Sequence, residues 1–172
     1  MKYTKDLVLI ALLTAIIFIQ ELLLSILPNI QLTFFLFVLY SKKIGFNKTS
    51  IIVLIYVLLD NIFSLSMSLL FIPFMFIGLM MIPLLLNTIF KKVSSNLNLA
   101  LLGIMFSFIY SFINIIPGCI MFDMTFKEYL IGDITWELIL AINSYLTILI
   151  LYNPCSKVFD KYLRNYKIKV GK

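Results

Sequence analysis

Four long apolar stretches without a single lysine or arginine dominate this 172-residue chain. The 14 Lys and Arg residues punctuate them in short clusters. These are Lys2 and Lys5; Lys42, Lys43 and Lys48; Lys91 and Lys92; and a tail from Lys157 to Lys172. Only Lys127 falls elsewhere. Apolar runs of roughly 20 residues match a hydrocarbon layer about 30 Å thick. Backbone polar groups in lipid must be satisfied within their own segment, so the runs are expected to be helices. A membrane barrel needs apolar and polar residues to alternate, and the run from Leu7 to Ile19 does not. Hydrophobic residues make up 62% of the chain, more than the roughly half that a soluble domain carries. The fold class expected is therefore an all-α integral membrane bundle.

The pattern predicts six helices, at about 7–27, 30–40, 49–70, 73–90, 99–116 and 134–152, give or take a few residues. Pro28-Asn29, Pro117-Gly118 and Asn153-Pro154 are read as stops for the first, fifth and sixth. The second run covers only about 16 Å at 1.5 Å per residue, so it is a short or partial helix. It either begins within the membrane or borrows residues from its loops. Pro73, Gly78 and Pro83 make the fourth a candidate for kinking. Six helices put both termini on one side, and every basic residue except Lys127 falls there with them. The positive-inside rule makes that side the cytoplasm. Five or seven helices would spoil the separation. The chain thus divides into a transmembrane domain over 1–152 and a basic cytoplasmic tail over 153–172, in a cell membrane of bacterial plasma-membrane type.

Several function classes drop out. The net charge of +6 belongs to residues that flank spans, so it reports topology and anionic lipid at the cytoplasmic face, not nucleic acid. In the tail, Val158, Phe159, Tyr162, Leu163 and Tyr166 interleave with basic residues. That suits an amphipathic helix on lipid or a solvated stop-transfer tail. There is no histidine, which removes His-based proton relays, His-ligated haem and the usual zinc sites. Serine chemistry of the rhomboid type wants a general base, commonly His. Aspartyl chemistry wants two facing acids, and Asp60 and Asp133 are predicted at different depths. No catalytic residue, metal or cofactor is expected, and the chain is read as not an enzyme. Cys119 and Cys155 fall on opposite sides and should not pair. The first apolar run lacks a small-residue cleavage site, so no cleavable signal peptide is expected.

Intramembrane acids are costly and usually face a cavity or a partner. Glu21, beside Gln20, and Asp60, beside Asn61, qualify, and no basic residue in a neighbouring span pairs with them. Both suit either interhelical hydrogen bonding or a ligand site. Tyr56, Asp60 and Ser64 share a helical face, as do Ser107, Tyr110, Ser111 and Asn114 in the fifth helix. Trp136, Glu137, Asn143 and Ser144 occupy the outer part of the sixth. Asn29 and Gln31 open the short second run, where a helix start inside the membrane would expose free N–H groups. Together these define a polar, partly acidic pocket opening outward, with Glu21, Gln31, Tyr56, Asp60, Asn61, Tyr110, Asn114, Trp136, Glu137 and Asn143 as candidate substrate-binding residues. Trp136 equally suits an interfacial anchor. Ser107 and Ser111 suit packing. Ala11 and Ala15 are two of only four alanines, and small residues four apart let another helix approach closely.

On length, six helices with both ends inside, a basic N-terminus and the AxxxA pattern at Ala11 and Ala15, the chain resembles the S component of an energy-coupling factor (ECF) transporter. The resemblance spans nearly the whole chain. It implies a substrate-binding membrane subunit for a vitamin or vitamin precursor. It also implies that the Ala11–Ala15 face docks on a shared transmembrane coupling subunit powered by two ATPases. The chain itself has no GxxxxGK[ST] motif. The link near residues 27–30 is short beside the lid loop of many family members. Outside and within the membrane, Glu21, Asp60, Asp123, Glu128, Asp133 and Glu137 face only Lys127, which favours a cationic or amine-bearing substrate. The competing readings are an MreD-like scaffold for cell-shape or cell-wall machinery, and a small channel or exporter.

Overall fold

The computed structural model describes residues 2–63 and 69–166. Six helices make up the described chain: α1 (Lys2–Leu24), α2 (Thr33–Ile44), α3 (Phe46–Phe63), α4 (Phe71–Asn87), α5 (Asn96–Phe122) and α6 (Phe126–Tyr166). Four of them, α1, α3, α5 and α6, are long and apolar enough to cross a membrane. α4 is apolar but shorter. This is a helical membrane protein.

The organising element is α2. It has 12 residues, about 18 Å at 1.5 Å per residue. Every residue from Thr33 to Ser41 is buried. α2 touches all five other helices, which pack around it in the order α1, α3, α4, α5, α6. α1 and α6 do not pack extensively against each other. The core is therefore a ring of apolar side chains converging on one short helix. Phe34, Phe37 and Tyr40 of α2 meet Ile17 of α1, Ile52 of α3, Leu79 and Ile82 of α4, Phe106 of α5 and Ile148 of α6, all essentially inaccessible. A helix that is apolar all round belongs inside a bundle, and α2 obeys that rule until Lys42.

Charge separates the two ends of the bundle. At the basic end, Lys42 donates to the carbonyls of Leu86 (3.4 Å), Phe90 (2.8 Å) and Lys91 (3.3 Å). It thereby caps the end of α4, where the helix dipole favours a cation. Lys43 pairs with Asp160 of α6 at 2.7 Å, and Lys48 of α3 with Asp6 of α1 at 2.6 Å. Those pairs use the two acids that are not in the opposite half. Glu21, Asp60, Asp123, Glu128, Asp133 and Glu137 all lie toward the other, acidic end.

Helix boundaries shift from the sequence expectation in two places. α5 does not stop at Pro117-Gly118 but continues to Phe122, and α6 begins already at Phe126. The segment read as an external loop is a tight helical hairpin. Asp123 takes the left-handed conformation (φ 50°) and the Met124 N–H reaches the Cys119 carbonyl at 3.1 Å, closing α5. Thr125 and Glu128 form a reciprocal capping box that opens α6, with the Thr125 N–H donating to Glu128 at 2.9 Å. Asn153-Pro154 likewise fails to end α6, which runs to Tyr166. Proline removes one helical donor, and packing of the next turns on the core outweighs that loss. Phe159 lies against Tyr40 with ring centroids 5.6 Å apart, and Leu163 is buried. The expected tail residues beyond Tyr166, and the side chains of Arg164 and Tyr166, lie outside the described residues.

One turn and two close approaches call for glycine. Gly45 alone links α2 to α3, at φ 80° and ψ 178°, a conformation other residues avoid. Gly118 leaves room for the Tyr129 ring across the hairpin, where an added Cβ would come within 2.3 Å of it. Gly78 of α4 admits Tyr110 of α5, where an added Cβ would meet Tyr110 Cδ2 at 2.9 Å and its Cα at 3.4 Å. Gly78→Val should therefore force α4 and α5 apart and destabilise the protein by about 1–3 kcal/mol, the cost of overpacking. Thermal unfolding in detergent checks this; an unchanged midpoint would show that α4 yields freely.

Candidate functional site

A helix that starts inside an apolar bundle brings free N–H groups with it, and they must be met. The first turn of α2 has no capping side chain of its own. Instead the Leu32 N–H donates to Gln20 Oε1 of α1 at 2.8 Å. Gln20 Nε2 donates to Thr33 Oγ1 at 2.8 Å and to Glu21 Oε2 at 3.2 Å. The Thr33 hydroxyl donates in turn to Glu21 Oε2 at 2.8 Å. Glu21 thus lies at the positive end of the α2 dipole, accepting from two neighbours. Thr33 escaped the sequence reading. Its position at the opening of the short run was the available signal.

Three further side chains face this network. Tyr56 of α3 is buried beside Glu21 and Thr33. Its ring meets Phe37 edge-on at 5.6 Å. Asp60, near the end of α3 as described, is half-buried and within electrostatic reach of Glu21, Tyr56 and Tyr110. Tyr110 of α5 stands edge-on to Phe34 at 5.6 Å. It lies within electrostatic reach of Asp60, Glu21, Tyr129 and Glu137.

The α1–α2 linker is tied to α6 by two amides. Asn29, with φ 60°, donates to the Trp136 carbonyl at 3.0 Å. Asn143 donates to the Gln31 carbonyl at 2.6 Å. Between those anchors lies Glu137, only 8% exposed, with neither carboxyl oxygen hydrogen-bonded among the described residues. Ser144, two turns along, is fully buried and its hydroxyl also lacks a partner.

The remaining candidates sit elsewhere. Asn61 is buried, bonds its own helix at Val57 (2.9 Å) and reaches Met75 of α4. Asn114 donates to the Tyr110 carbonyl one turn back. The Trp136 side chain is 44% exposed, so only its backbone meets the linker. Ser107 is buried and bonds the Ile104 carbonyl, while Ser111 is half-buried. Ser64 lies outside the described residues. Ala11 and Ala15 are both exposed on α1, flanked by exposed Leu12 and Ile16. No group of three or more metal-ligating side chains occurs among the described residues.

Glu21, Tyr56, Asp60 and Tyr110 lie within mutual electrostatic reach, Glu137 lies within reach of Tyr110, and Asn143 ties the Gln31 backbone to α6. No family model, no curated protein and no solved structure matches the chain.

Thr33→Val should leave Gln20 and Glu21 without their shared hydroxyl inside the bundle. It should cost about 1–3 kcal/mol, the penalty for orphaned buried polar groups. Thr33→Ser should recover most of that loss. The thermal midpoints of the two variants decide it, and equal stability of Thr33→Val and the parent would remove the network from the fold's foundations.

Proposed function

We propose that this chain is the substrate-binding membrane subunit of an ECF-type importer for a vitamin or vitamin precursor. In this reading the six-helix bundle, with its partial second helix, sits in a bacterial plasma membrane with both termini in the cytoplasm. The basic end, with Lys42, Lys43, Lys48, Lys91 and Lys92, is the cytoplasmic one, as the positive-inside rule requires. The acidic end then looks outward, and the polar cluster around the start of α2 faces the side from which a nutrient arrives.

The observation that carries the proposal is the two-faced character of α1. Its inner face supplies Ile10, Leu13, Ile17 and Gln20 to the core. Its outer face leaves Ala11 and Ala15 exposed, one turn apart. Small residues there give a second helix close access to the α1 backbone. In this reading that helix belongs to the shared coupling subunit, which two ATPases drive. The substrate sits among Glu21, Tyr56, Asp60, Tyr110 and Glu137, and the short linker, held by Asn29 and Asn143, covers it. The importer reading uses both the acidic interior and the alanine face; a scaffold needs no gathered acids.

Ala11→Trp together with Ala15→Trp should abolish uptake in cells while leaving substrate binding by the purified subunit intact. Transport of the ligand identified by mass spectrometry of the purified protein checks this. Undiminished uptake by the double variant would end the docking reading. A vitamin panel that gives no thermal stabilisation, combined with copurifying cell-wall machinery, would favour the scaffold.

A further inference from the structure

The two buried glutamates of the site are in opposite states of satisfaction. Glu21 accepts from Gln20 and Thr33 and sits at the start of α2. Glu137 is more deeply buried by residue and has no partner for either oxygen among the described residues. Protonation would not resolve this, because a neutral carboxylic acid also needs an acceptor for its O–H. A buried polar group without a partner is costly, so its retention calls for something that binds it. Ser144, on the same face of α6, presents a second buried and unpartnered group.

The surroundings specify the chemistry of that partner. Tyr129, Asp133 and Glu137 follow one another at one-turn intervals along α6. Asp133 is close enough to act electrostatically on Glu137. Tyr129 and Asp133 line a cavity of about 290 Å³ at the α5–α6 hairpin, together with Phe122, Met124, Glu128 and Gly132. Its walls are aromatic and apolar with two carboxylates, and Lys127 is the sole basic residue at this end of the molecule. An anion would meet like charge throughout. A compact organic cation would gain a carboxylate and an aromatic face at each step.

We infer that Glu137, rather than the already engaged Glu21, is the carboxylate that receives the charged nitrogen of a small organic ammonium ligand. The hairpin cavity, lined by Asp133 one turn before Glu137, is the approach. The two amide ties, Asn29 to Trp136 and Asn143 to Gln31, hold the linker over Glu137 without satisfying it. This inference rests on the substrate-binding reading above and sharpens it to one residue and one ligand class.

The test uses the full-length protein in detergent with benzylammonium chloride as the probe, against equimolar sodium chloride and benzyl alcohol. Benzylammonium should raise the thermal midpoint of the parent protein and the two controls should not. Glu137→Gln should abolish the response, or weaken apparent affinity about tenfold or more, the weight of one charge-assisted contact. Ligand-free Glu137→Gln should be at least as stable as the parent, which separates loss of binding from loss of fold. No response in the parent, an equal response in Glu137→Gln, or a lowered ligand-free midpoint for that variant would overturn the assignment. None of these results bears on docking through Ala11 and Ala15, so a neutral vitamin carried by the same importer would still show in the uptake assay.

Discussion

The structure depends on how a helix can begin in the middle of an apolar bundle. α2 is too short to cross a bilayer, and its first residues are buried. Its opening N–H groups cannot reach bulk water through the surrounding helices. Gln20 solves part of this by accepting from Leu32, and Glu21 adds a negative charge where the α2 dipole is positive. Once those polar groups are committed to α2, Tyr56, Asp60 and Tyr110 gather around them. The polar cluster is thus a consequence of folding a partial helix inward, and the residues of the candidate site are also ones that hold the fold.

The opposite end of α2 is governed by the same dipole with reversed sign. Lys42 and Lys43 lie in its last turn, and Lys42 reaches past it to cap α4. A lysine read from sequence as a topological marker therefore also does structural work. The pairs Lys43–Asp160 and Lys48–Asp6 join α2 to α6 and α1 to α3, the first open to solvent at Asp160 and the second part-buried. Their main effect on the site is subtractive. They retain two acids at the basic end and leave the other end with carboxylates almost alone.

Much of this was legible in the sequence because membrane solvation leaves so few options. Apolar runs and basic clusters gave the helices, the shortness of the second and the segregation of charge. The intramembrane acids stood out because they are expensive. What was not legible depended on tertiary packing. Pro117 and Pro154 look like stops, yet both lie within helices because Tyr129 against Gly118 and Phe159 against Tyr40 reward continuation. Thr33 is an ordinary residue until α2 is folded against Gln20. Trp136 was ambiguous between anchor and pocket, and its exposed ring beside an engaged carbonyl separates backbone from side chain. Glu137 and Asn143, six residues apart, differ in whether the α1–α2 linker reaches them, which no pattern along α6 reveals.

α1 is a single continuous helix from Lys2 to Leu24, anchored to α3 and α2 but not extensively to α6. Its outer face bears the two alanines and its far end bears Gln20 and Glu21. Whatever presses on that outer face acts on a rigid rod whose other end holds the start of α2. Tilting the rod strains the Gln20 and Glu21 bonds to Leu32 and Thr33, and tightening those bonds resists the tilt. The outer face of α1 and the start of α2 are thus joined through one helix, and strain at either end is felt at the other.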